Sequence, residues 1–251
     1  MTQRILLMSS SRKDQLGYLE HATAQIHTLL RHEPRKVLFV PFAGVTFSFD
    51  SYEDIVRPVF ERLGYALESI HRSADPLAAI EQAEAIAVGG GNTFALLKRM
   101  YDAGIVDAIR AKVAAGTPYV GWSAGSNVAC PTIRTTNDMP IVQPPTLRAL
   151  GLVPFQVNPH FISGKPVGHN GESREERLAE FLEINAPEQI FALPEGSALY
   201  TDGIDGTVLG ERHALHFLGG GRVETLRENE PFPLARIAGP AGMTEWPAFK
   251  A

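Results

Sequence analysis

A serine flanked by glycines gives the clearest chemical signal in this sequence. An apolar run leads into a G-x-S-x-G motif in the segment Tyr119-Val120-Gly121-Trp122-Ser123-Ala124-Gly125. Where such a motif joins a strand to a helix, the serine occupies a tight turn and its hydroxyl is exposed above the sheet. The amide of Ala124 would then lie at a helix N-terminus, where it can donate to an oxyanion. We therefore predict that Ser123 is a nucleophile, the alternative being a packing turn whose serine only caps the helix.

A second glycine-rich turn, Gly89-Gly90-Gly91-Asn92-Thr93, follows the preceding apolar run. Three glycines allow the backbone to approach a ligand closely and to present amides toward it. The nucleotide-binding patterns G-x-G-x-x-G and G-x-x-x-x-G-K-[ST] are both missing from the sequence. We expect this turn to supply a second oxyanion donor. A sterically required strand–helix turn and a nucleotide site are the alternatives.

A serine nucleophile needs a base and a carboxylate that orients the base. The candidate bases are His160 and His169, and His160 is favoured because it follows an apolar run and a proline, as at the carboxyl end of a strand. Glu195, in Leu193-Pro194-Glu195-Gly196, is the candidate carboxylate. Its rivals are Asp138, Asp202 and Asp205. The order serine, histidine, glutamate differs from that of the α/β-hydrolases and counts against that class.

The elements that must position these residues alternate along the first half of the chain. Nearly continuous apolar runs predict buried strands at Arg4–Met8, Val37–Pro41, Tyr65–Ile70, Ala85–Val88 and Pro118–Gly121. Helical spacing of apolar residues predicts helices over Gln15–Arg31, Tyr52–Leu63, Asp75–Glu81, Phe94–Ala103 and Ile105–Ala115. Short strand–helix–strand connections favour right-handed crossovers and a mostly parallel sheet. We therefore predict a doubly wound α/β domain with helices on both faces of the sheet.

The second half of the chain has a different residue composition and pattern. Residues 131–159 are rich in proline and polar side chains, and an amphipathic helix is predicted over Ser173–Ile184. Five short strand-like runs follow, separated by glycine-containing turns: Gln189–Leu193, Ala198–Thr201, Thr207–Leu209, Ala214–Leu218 and Arg222–Thr225. They predict antiparallel hairpins attached to the edge of the sheet. Since no linker marks a boundary, residues 1–251 are predicted to form a single domain, with the tail after about residue 226 unassigned.

Composition limits the classes of protein that this chain can belong to. Apolar residues make up 44% of the 251 residues, and the net charge is −5 without a basic cluster, so we expect no nucleic-acid or membrane partner. No run approaches the roughly 20 apolar residues of a membrane helix. The single cysteine, Cys130, excludes an internal disulfide and a cysteine-built metal site. We expect a cytoplasmic enzyme that needs neither metal nor cofactor, with the oligomeric state open and a homo-oligomer among the options.

Four motifs, taken together, resemble the aspartyl dipeptidase (dipeptidase E) family of serine peptidases, whose relatives include cyanophycinase. They are the two glycine turns at Gly89 and Gly121, Asn158-Pro159-His160-Phe161, and Gly171-Glu172-Ser173-Arg174-Glu175-Glu176-Arg177, in that order. The resemblance extends from the first strand to about residue 218. It implies a fold like the class I glutamine amidotransferase sheet, with serine in place of the nucleophilic cysteine.

The resemblance also implies the site and the activity. The triad would consist of Ser123, His160 and Glu195, and the amides of Gly91 and Ala124 would form the oxyanion hole. The substrate would be a dipeptide with N-terminal aspartate. Asp138 occupies the position of a loop aspartate that the family needs for activity.

A pocket for such a substrate must hold a carboxylate, for which an arginine fork is the best partner, and an ammonium group. Arg174 and Glu172, at the start of the helix Ser173–Ile184, are the candidate ligands. A solvated helix start is the alternative for both, and Arg177 and Arg134 are weaker candidates. Two other functions stay open: a cyanophycinase-like peptidase that cleaves β-aspartyl-arginine bonds, and a non-catalytic small-ligand-binding module of the same fold.

Overall fold

The computed structural model of the chain describes residues 3–234 with the exception of 32 and 34. Its strands are β1 (Ile5–Met8), β2 (Lys36–Val40), β3 (Ala66–Ser69), β4 (Ala85–Val88), β5 (Tyr119–Trp122), β6 (Gln156–Asn158), β7 (Ile190–Ala192), β8 (Ala198–Thr201), β9 (Asp205–Leu209), β10 (Ala214–Leu218), β11 (Arg222–Leu226) and β12 (Pro231–Pro233). Its helices are α1 (Thr23–Leu29), α2 (Phe49–Arg62), α3 (Pro76–Gln82), α4 (Thr93–Asp102), α5 (Val106–Ala114), α6 (Ala124–Ala129) and α7 (Arg174–Ile184). None of the described helices is both long and apolar enough to span a bilayer.

The larger sheet has eight strands in the order β12-β9-β8-β1-β5-β4-β2-β3. The five strands from β1 to β3 in that order pair in parallel, whereas β8, β9 and β12 extend the sheet in antiparallel fashion. The carboxyl ends of β1, β4 and β5 therefore meet at one edge, with Leu7 opposite Gly121 and Met8 opposite Trp122. The predicted α/β fold with a mostly parallel, helix-flanked sheet is confirmed.

Apolar side chains on both faces of the large sheet explain the unbroken apolar runs of its parallel strands. Ile5 and Leu7 of β1 belong to a core on one face, which the helices α3 to α6 cover. Leu6 and Met8 point to the other face, into a core shared with α1 and α2. Because successive residues of a strand face opposite sides, a strand buried on both faces must be apolar at every position.

A second sheet of four strands, in the order β11-β10-β7-β6, carries part of the C-terminal half. The prediction that all late hairpins attach to the edge of the main sheet is therefore correct for β8 and β9 and wrong for β7, β10 and β11. The reason is that β7 is buried and needs partners on both of its edges, which it finds in β6 and β10. Alternating apolar residues predict that a segment forms a strand, but they do not predict which strand it pairs with.

The first helix and the C-terminal tail also differ from the sequence prediction. The first helix, predicted over Gln15–Arg31, begins as a single 3₁₀ turn at Glu20–Ala22 and continues as α1. Leu19 lies just before it in a left-handed conformation (φ 54°), which ends any helix extending from the N-terminal side. The tail left unassigned after residue 226 contributes β12, which pairs with β9, and residues from 235 onward lie outside the described part of the chain.

Candidate active site

Ser123 lies in the sharp turn between β5 and α6 with φ 53° and ψ −112°. The flanking glycines are required by contact: a Cβ on Gly121 would come within 2.4 Å of the Gly125 carbonyl oxygen, and one on Gly125 within 2.1 Å of the Val88 oxygen. The turn therefore has the strand–turn–helix form in which a G-x-S-x-G serine exposes its hydroxyl. The half-buried side chain of Ser123 is free to meet a base and a substrate from above the sheet.

His160 and Glu195 form a hydrogen-bonded chain with this serine. His160 Nε2 lies 3.0 Å from Ser123 Oγ, and His160 Nδ1 lies 2.7 Å from Glu195 Oε1. His160 directly follows β6 and Pro159, and Glu195 lies in the turn that leads from β7 in the second sheet to β8 in the main sheet. If Nδ1–H donates to the carboxylate, Nε2 is left as the acceptor for the serine proton. The arrangement can therefore generate an alkoxide-like nucleophile at Ser123.

Two serines after β1 hold the loops that carry the histidine and the glutamate. Ser9 Oγ donates to the Leu193 carbonyl oxygen (2.8 Å) and accepts the backbone N–H of His160 (2.9 Å). Ser10 Oγ accepts the N–H of Gly196, the residue after Glu195 (3.2 Å). Sequence reasoning did not assign these serines a role. The sequence feature that could have identified them is the run of serines at the carboxyl end of a central strand.

The second glycine turn lies against the serine. A Cβ on Gly90 would be 3.0 Å from Ser123 Cβ, and Gly91, at φ 136°, would bring one within 2.3 Å of the Ala43 oxygen. Gly91 therefore has to be glycine both for its conformation and for space. Within the described residues, the N–H groups of Gly91 and Ala124 have no protein acceptor. Two amide donors are thus available next to Ser123.

Asp138 is hydrogen-bonded to the segment that follows this turn, and no hydrogen bond among the described residues joins it to the triad. Its Oδ2 accepts the N–H of Thr93 (2.7 Å) and the hydroxyl of the same residue (2.5 Å) at the first turn of α4. Asn92 Nδ2 donates to the carbonyl of the next loop residue, Met139 (2.9 Å). The carboxylate therefore ties the 135–139 loop to the segment that carries Gly91, and a negative charge is favoured at that helix end.

Arg174 is the first residue of α7 and lines a cavity of about 220 Å³ together with His169 and Glu172. Its Nη1 is buried without a hydrogen-bond partner in the described structure. Burial lowers the pKa of Arg174, and the neighbouring Arg177 lowers it further. A buried N–H of a cation without an acceptor is costly, so the geometry suits an anionic ligand at this point.

Glu172 is placed differently. Its side chain is 67% exposed and lies 4.0 Å from Arg177, the weaker arginine candidate, which is itself largely exposed. No hydrogen bond or ion pair within the described residues joins Glu172 or Arg174 to the triad. The structure thus brings Ser123, His160 and Glu195 together and leaves these two residues in a separate cavity.

The rival residues are occupied elsewhere. His169 lines the Arg174 cavity, whereas His160 meets Ser123. Asp202 is a turn former, because its Oδ1 accepts two backbone N–H groups that lower the pKa of its carboxyl group. Arg134 binds Asn185 and stacks over a ring of α7, with its guanidinium 4.9 Å from the centroid. Arg134 therefore anchors the end of α7 and is not free for a substrate.

One group of acidic and histidine side chains has the spacing of metal ligands. Ligand atoms of Asp50, Glu53 and His71 lie within 4.8 Å of one another. The buried Glu53 carboxylate, however, already accepts from Arg57 and Arg72, and His71 and Arg72 lower the pKa of Asp50. Because two guanidinium groups supply the positive charge, this cluster is an ion-pair network and not a metal centre.

The comparison with known proteins gives the class of this protein. The sequence profile of peptidase family S51 matches residues 5–209, which is most of the chain. The chain belongs to that family.

Individual relatives carry a more specific name. A protein named peptidase E from Actinobacillus pleuropneumoniae serotype 5b is 51% identical over 231 residues, covering 92% of this chain and 99% of the relative. Peptidase E from Haemophilus influenzae is 52% identical over 211 residues, covering 84% of this chain and 97% of the relative. The chain is therefore similar to these proteins over nearly their whole length.

Solved structures share the fold. A putative peptidase E protein from Listeria monocytogenes superposes with a TM-score of 0.61 at 23% identity, covering 84% of this chain and 100% of the other. A peptidase from an acI-B1 actinobacterium gives a TM-score of 0.66 at 16% identity, covering 93% and 97%. At these identities the likeness extends to the fold alone.

Proposed function

We propose that this protein is a serine-type dipeptidase that hydrolyses dipeptides with N-terminal aspartate. The observation that carries the proposal is the chain of hydrogen bonds from Ser123 Oγ through His160 to Glu195, beside two unpaired backbone amides. Membership of peptidase family S51 supports the reaction class, and the name of the relatives, peptidase E, agrees with it.

The geometry leads to a two-step mechanism. Ser123 Oγ attacks the carbonyl carbon of the scissile peptide while His160 Nε2 takes the serine proton, and the amides of Gly91 and Ala124 stabilise the oxyanion that forms. His160 then gives this proton to the leaving amine, which leaves an aspartyl ester on Ser123. A water molecule attacks the ester with His160 as base, and aspartate departs as the serine is restored. Throughout, the Glu195 carboxylate orients the imidazole and stabilises its protonated form.

Recognition of the aspartate side chain is assigned to Arg174. This arginine has a buried, unpartnered Nη1 in a cavity that is also lined by Ile162, two residues after His160, and a carboxylate would satisfy it as a charge-assisted pair. The ammonium group of the substrate would be held by a carboxylate, either the second oxygen of Asp138 or Glu172. Only one oxygen of Asp138 is used by Thr93, so the other is free to accept.

The test is a comparison of kcat/KM for Asp-Leu, Glu-Leu, Asn-Leu and N-acetyl-Asp-Leu with the purified protein. A fixed guanidinium fork cannot follow a carboxylate that is one methylene further out, so Asp-Leu should be cleaved at least about tenfold to a thousandfold faster than Glu-Leu. Asn-Leu lacks the charge and N-acetyl-Asp-Leu lacks the ammonium, so both should be poor substrates. Equal kcat/KM values for Asp-Leu and Asn-Leu would contradict the proposal.

A cyanophycinase-like peptidase is the second candidate, since the same three side chains would serve it. It differs in the bond that is cleaved, which would be the β-aspartyl linkage to arginine. Faster cleavage of β-Asp-Arg than of Asp-Leu would favour this candidate and exclude the α-aspartyl assignment.

We also propose that the protein acts in the cytoplasm. Cys130 is buried and forms no disulfide, and burial raises the pKa of its thiol. A chain without disulfides is typical of a reducing compartment.

A further inference from the structure

A chain of hydrogen-bonded side chains leads from Trp122, the residue before Ser123, to the glycine turn. Trp122 Nε1 donates to the hydroxyl oxygens of Tyr18 (2.9 Å) and Tyr52 (3.2 Å), and the Tyr18 hydroxyl donates to that of Tyr52 (3.0 Å). The Tyr52 hydroxyl in turn donates to the carbonyl oxygen of Gly90 (2.9 Å). The chain ends at one backbone acceptor, the carbonyl of Gly90.

That carbonyl is half of the peptide group whose other half is the Gly91 N–H. In a planar trans peptide the C=O and N–H bonds point in opposite directions, so a bond that fixes the oxygen also fixes the direction of the N–H. This peptide depends on such a bond to fix its orientation, because glycines flank it on both sides. A Gly-Gly peptide can adopt either orientation at little cost, since no side chain restricts the dihedral angles on either side of it.

We propose that Tyr52 is a positioning residue of the oxyanion hole: its hydroxyl holds the Gly90–Gly91 peptide so that the Gly91 N–H faces the reaction centre at Ser123. The inference rests on the proposed function, in which this N–H receives the oxyanion. The bond does more than orient the peptide, because a hydrogen bond accepted by a carbonyl polarises its amide group and strengthens the N–H as a donor.

The surroundings of Tyr52 make it suited to this task. The side chain is only 3% exposed, and the rings of Phe39 and Phe47 each pack against it edge-on at 5.1 Å between centroids. Burial raises the pKa of Tyr52 well above its ordinary value, so the hydroxyl remains a donor. The turn also fits the ring closely: a Cβ on Gly89 would come within 2.6 Å of the Tyr52 hydroxyl oxygen. The hydroxyl is therefore held rigidly in place.

The test removes the hydroxyl alone, by Tyr52→Phe, and measures kcat and KM for Asp-Leu. Loss of an oxyanion donor costs about 10²–10³-fold in kcat, and a donor that is present but misaligned should cost less, so we expect kcat to fall about tenfold to thirtyfold. KM should change by less than about twofold, because ground-state binding does not use the oxyanion contact. The matched control is Tyr65→Phe, another buried tyrosine, whose hydroxyl bonds to His27 Nδ1 and which should keep wild-type kcat.

A second readout does not depend on turnover. The ¹⁵N chemical shift of an amide responds to hydrogen bonding at the carbonyl of the same peptide, so the Gly91 signal should move in Tyr52→Phe and stay in place in Tyr65→Phe. Tyr18→Phe keeps the bond from Tyr52 to Gly90 and should lower kcat less than Tyr52→Phe does.

Wild-type kcat in folded Tyr52→Phe, an unmoved Gly91 signal, or a larger loss in Tyr18→Phe would overturn this role for Tyr52. These outcomes are separable from a failure of the proposed function. That failure would appear in the wild-type protein itself, as an absence of Asp-Leu cleavage or as activity that survives Ser123→Ala.

Discussion

At the scale of single residues, the backbone of Ser123 is the feature on which the site depends. A non-glycine residue at φ 53° and ψ −112° is strained by about 1–3 kcal/mol and persists only where its neighbours impose that conformation. Here its N–H donates to the Met8 carbonyl (3.0 Å), and its own carbonyl accepts from Ser126 (2.9 Å) and Asn127 (3.0 Å). β1 and α6 therefore fix the peptide groups on both sides of Ser123. These bonds maintain the strained conformation that exposes the hydroxyl.

The triad gives the first prediction at this scale. His160→Ala should lower kcat for Asp-Leu nearly as much as removal of Ser123, by roughly 10⁴-fold or more, because the pair acts as a unit. Glu195→Gln should be milder, since it keeps the shape of the side chain and removes only the charge that stabilises the imidazolium. The double variant Ser123→Ala/His160→Ala should be little worse than either single variant in steady-state assays. Losses that multiply in the double variant would show that the two residues act independently.

Arg174 gives the second prediction. Arg174→Lys keeps the charge and loses the paired fork, so kcat/KM for Asp-Leu should fall and its advantage over Asn-Leu should narrow. Arg177→Lys is the matched control, since Arg177 is 65% exposed on the same helix and pairs only loosely with Glu172. If the Asp-Leu advantage keeps its wild-type size in Arg174→Lys, another group binds the substrate carboxylate.

At the scale of elements, two sheets meet at the site. Ser123 follows a parallel strand of the large sheet, whereas His160 follows β6 of the small sheet. Ser9 joins them, because its hydroxyl bonds to His160 and Leu193 from the end of β1. The relative placement of serine and histidine therefore depends on one hydroxyl between the sheets as well as on the strands.

The start of α7 gives a prediction at this scale. Ser173 and Glu176 form a capping box, in which Ser173 Oγ accepts the Glu176 N–H (3.2 Å) and Glu176 Oε2 accepts the Ser173 N–H (2.6 Å). Ser173→Ala should lower the free energy of unfolding by about 1 kcal/mol. Because the first turn carries Arg174, it should also raise KM for Asp-Leu more than it lowers kcat.

The control for this prediction is Asp75→Ala at the start of α3. Asp75 also caps a helix by accepting two backbone N–H groups, but that helix holds no candidate site residue. Urea denaturation should show a similar loss of stability in both variants, and only Ser173→Ala should change KM. An equal change of KM in both would mean that general destabilisation is the cause.

Much of the element order follows from the sequence, because the parallel strands are buried on both faces and the G-x-S-x-G and Gly89 turns mark their ends. The triad was open to rivals until geometry showed which side chains meet. The role of Ser9 could not be predicted, since its partner Leu193 is 184 residues away along the chain. The same holds for Tyr52, whose apolar ring predicts burial and whose hydroxyl partner lies on another element.

At the scale of the whole molecule, the small sheet has its own core, formed with α7 around Phe161, Leu178 and Phe217. His216 lies on this sheet with its ring stacked 4.4 Å from that of Phe191. Burial lowers the pKa of His216 to about 4 from 6.5, and Arg222 also lowers it while Glu224 acts in the opposite direction. The folded state thus binds the proton less readily than the unfolded state does.

The pH dependence of stability follows from this difference. The contribution of neutral His216 to the free energy of unfolding is fully present above pH 6.5. It is lost as the pH falls toward about 4, at up to about 1.4 kcal/mol per pH unit. His216→Phe should therefore reduce the loss of stability between pH 7 and pH 4.5 by up to about 2 kcal/mol, measured by urea denaturation. If His216→Phe loses as much stability as the wild type between pH 7 and pH 4.5, the prediction is wrong.

The proposal that Ser123 is the nucleophile of an aspartyl dipeptidase is tested most directly by kcat for Asp-Leu in the wild type and in Ser123→Ala, assayed side by side. We predict a fall of several orders of magnitude, on the order of 10⁴-fold or more, with an unchanged melting temperature because the half-buried hydroxyl contributes little to packing. A folded Ser123→Ala protein that keeps more than about a tenth of the wild-type kcat would contradict it.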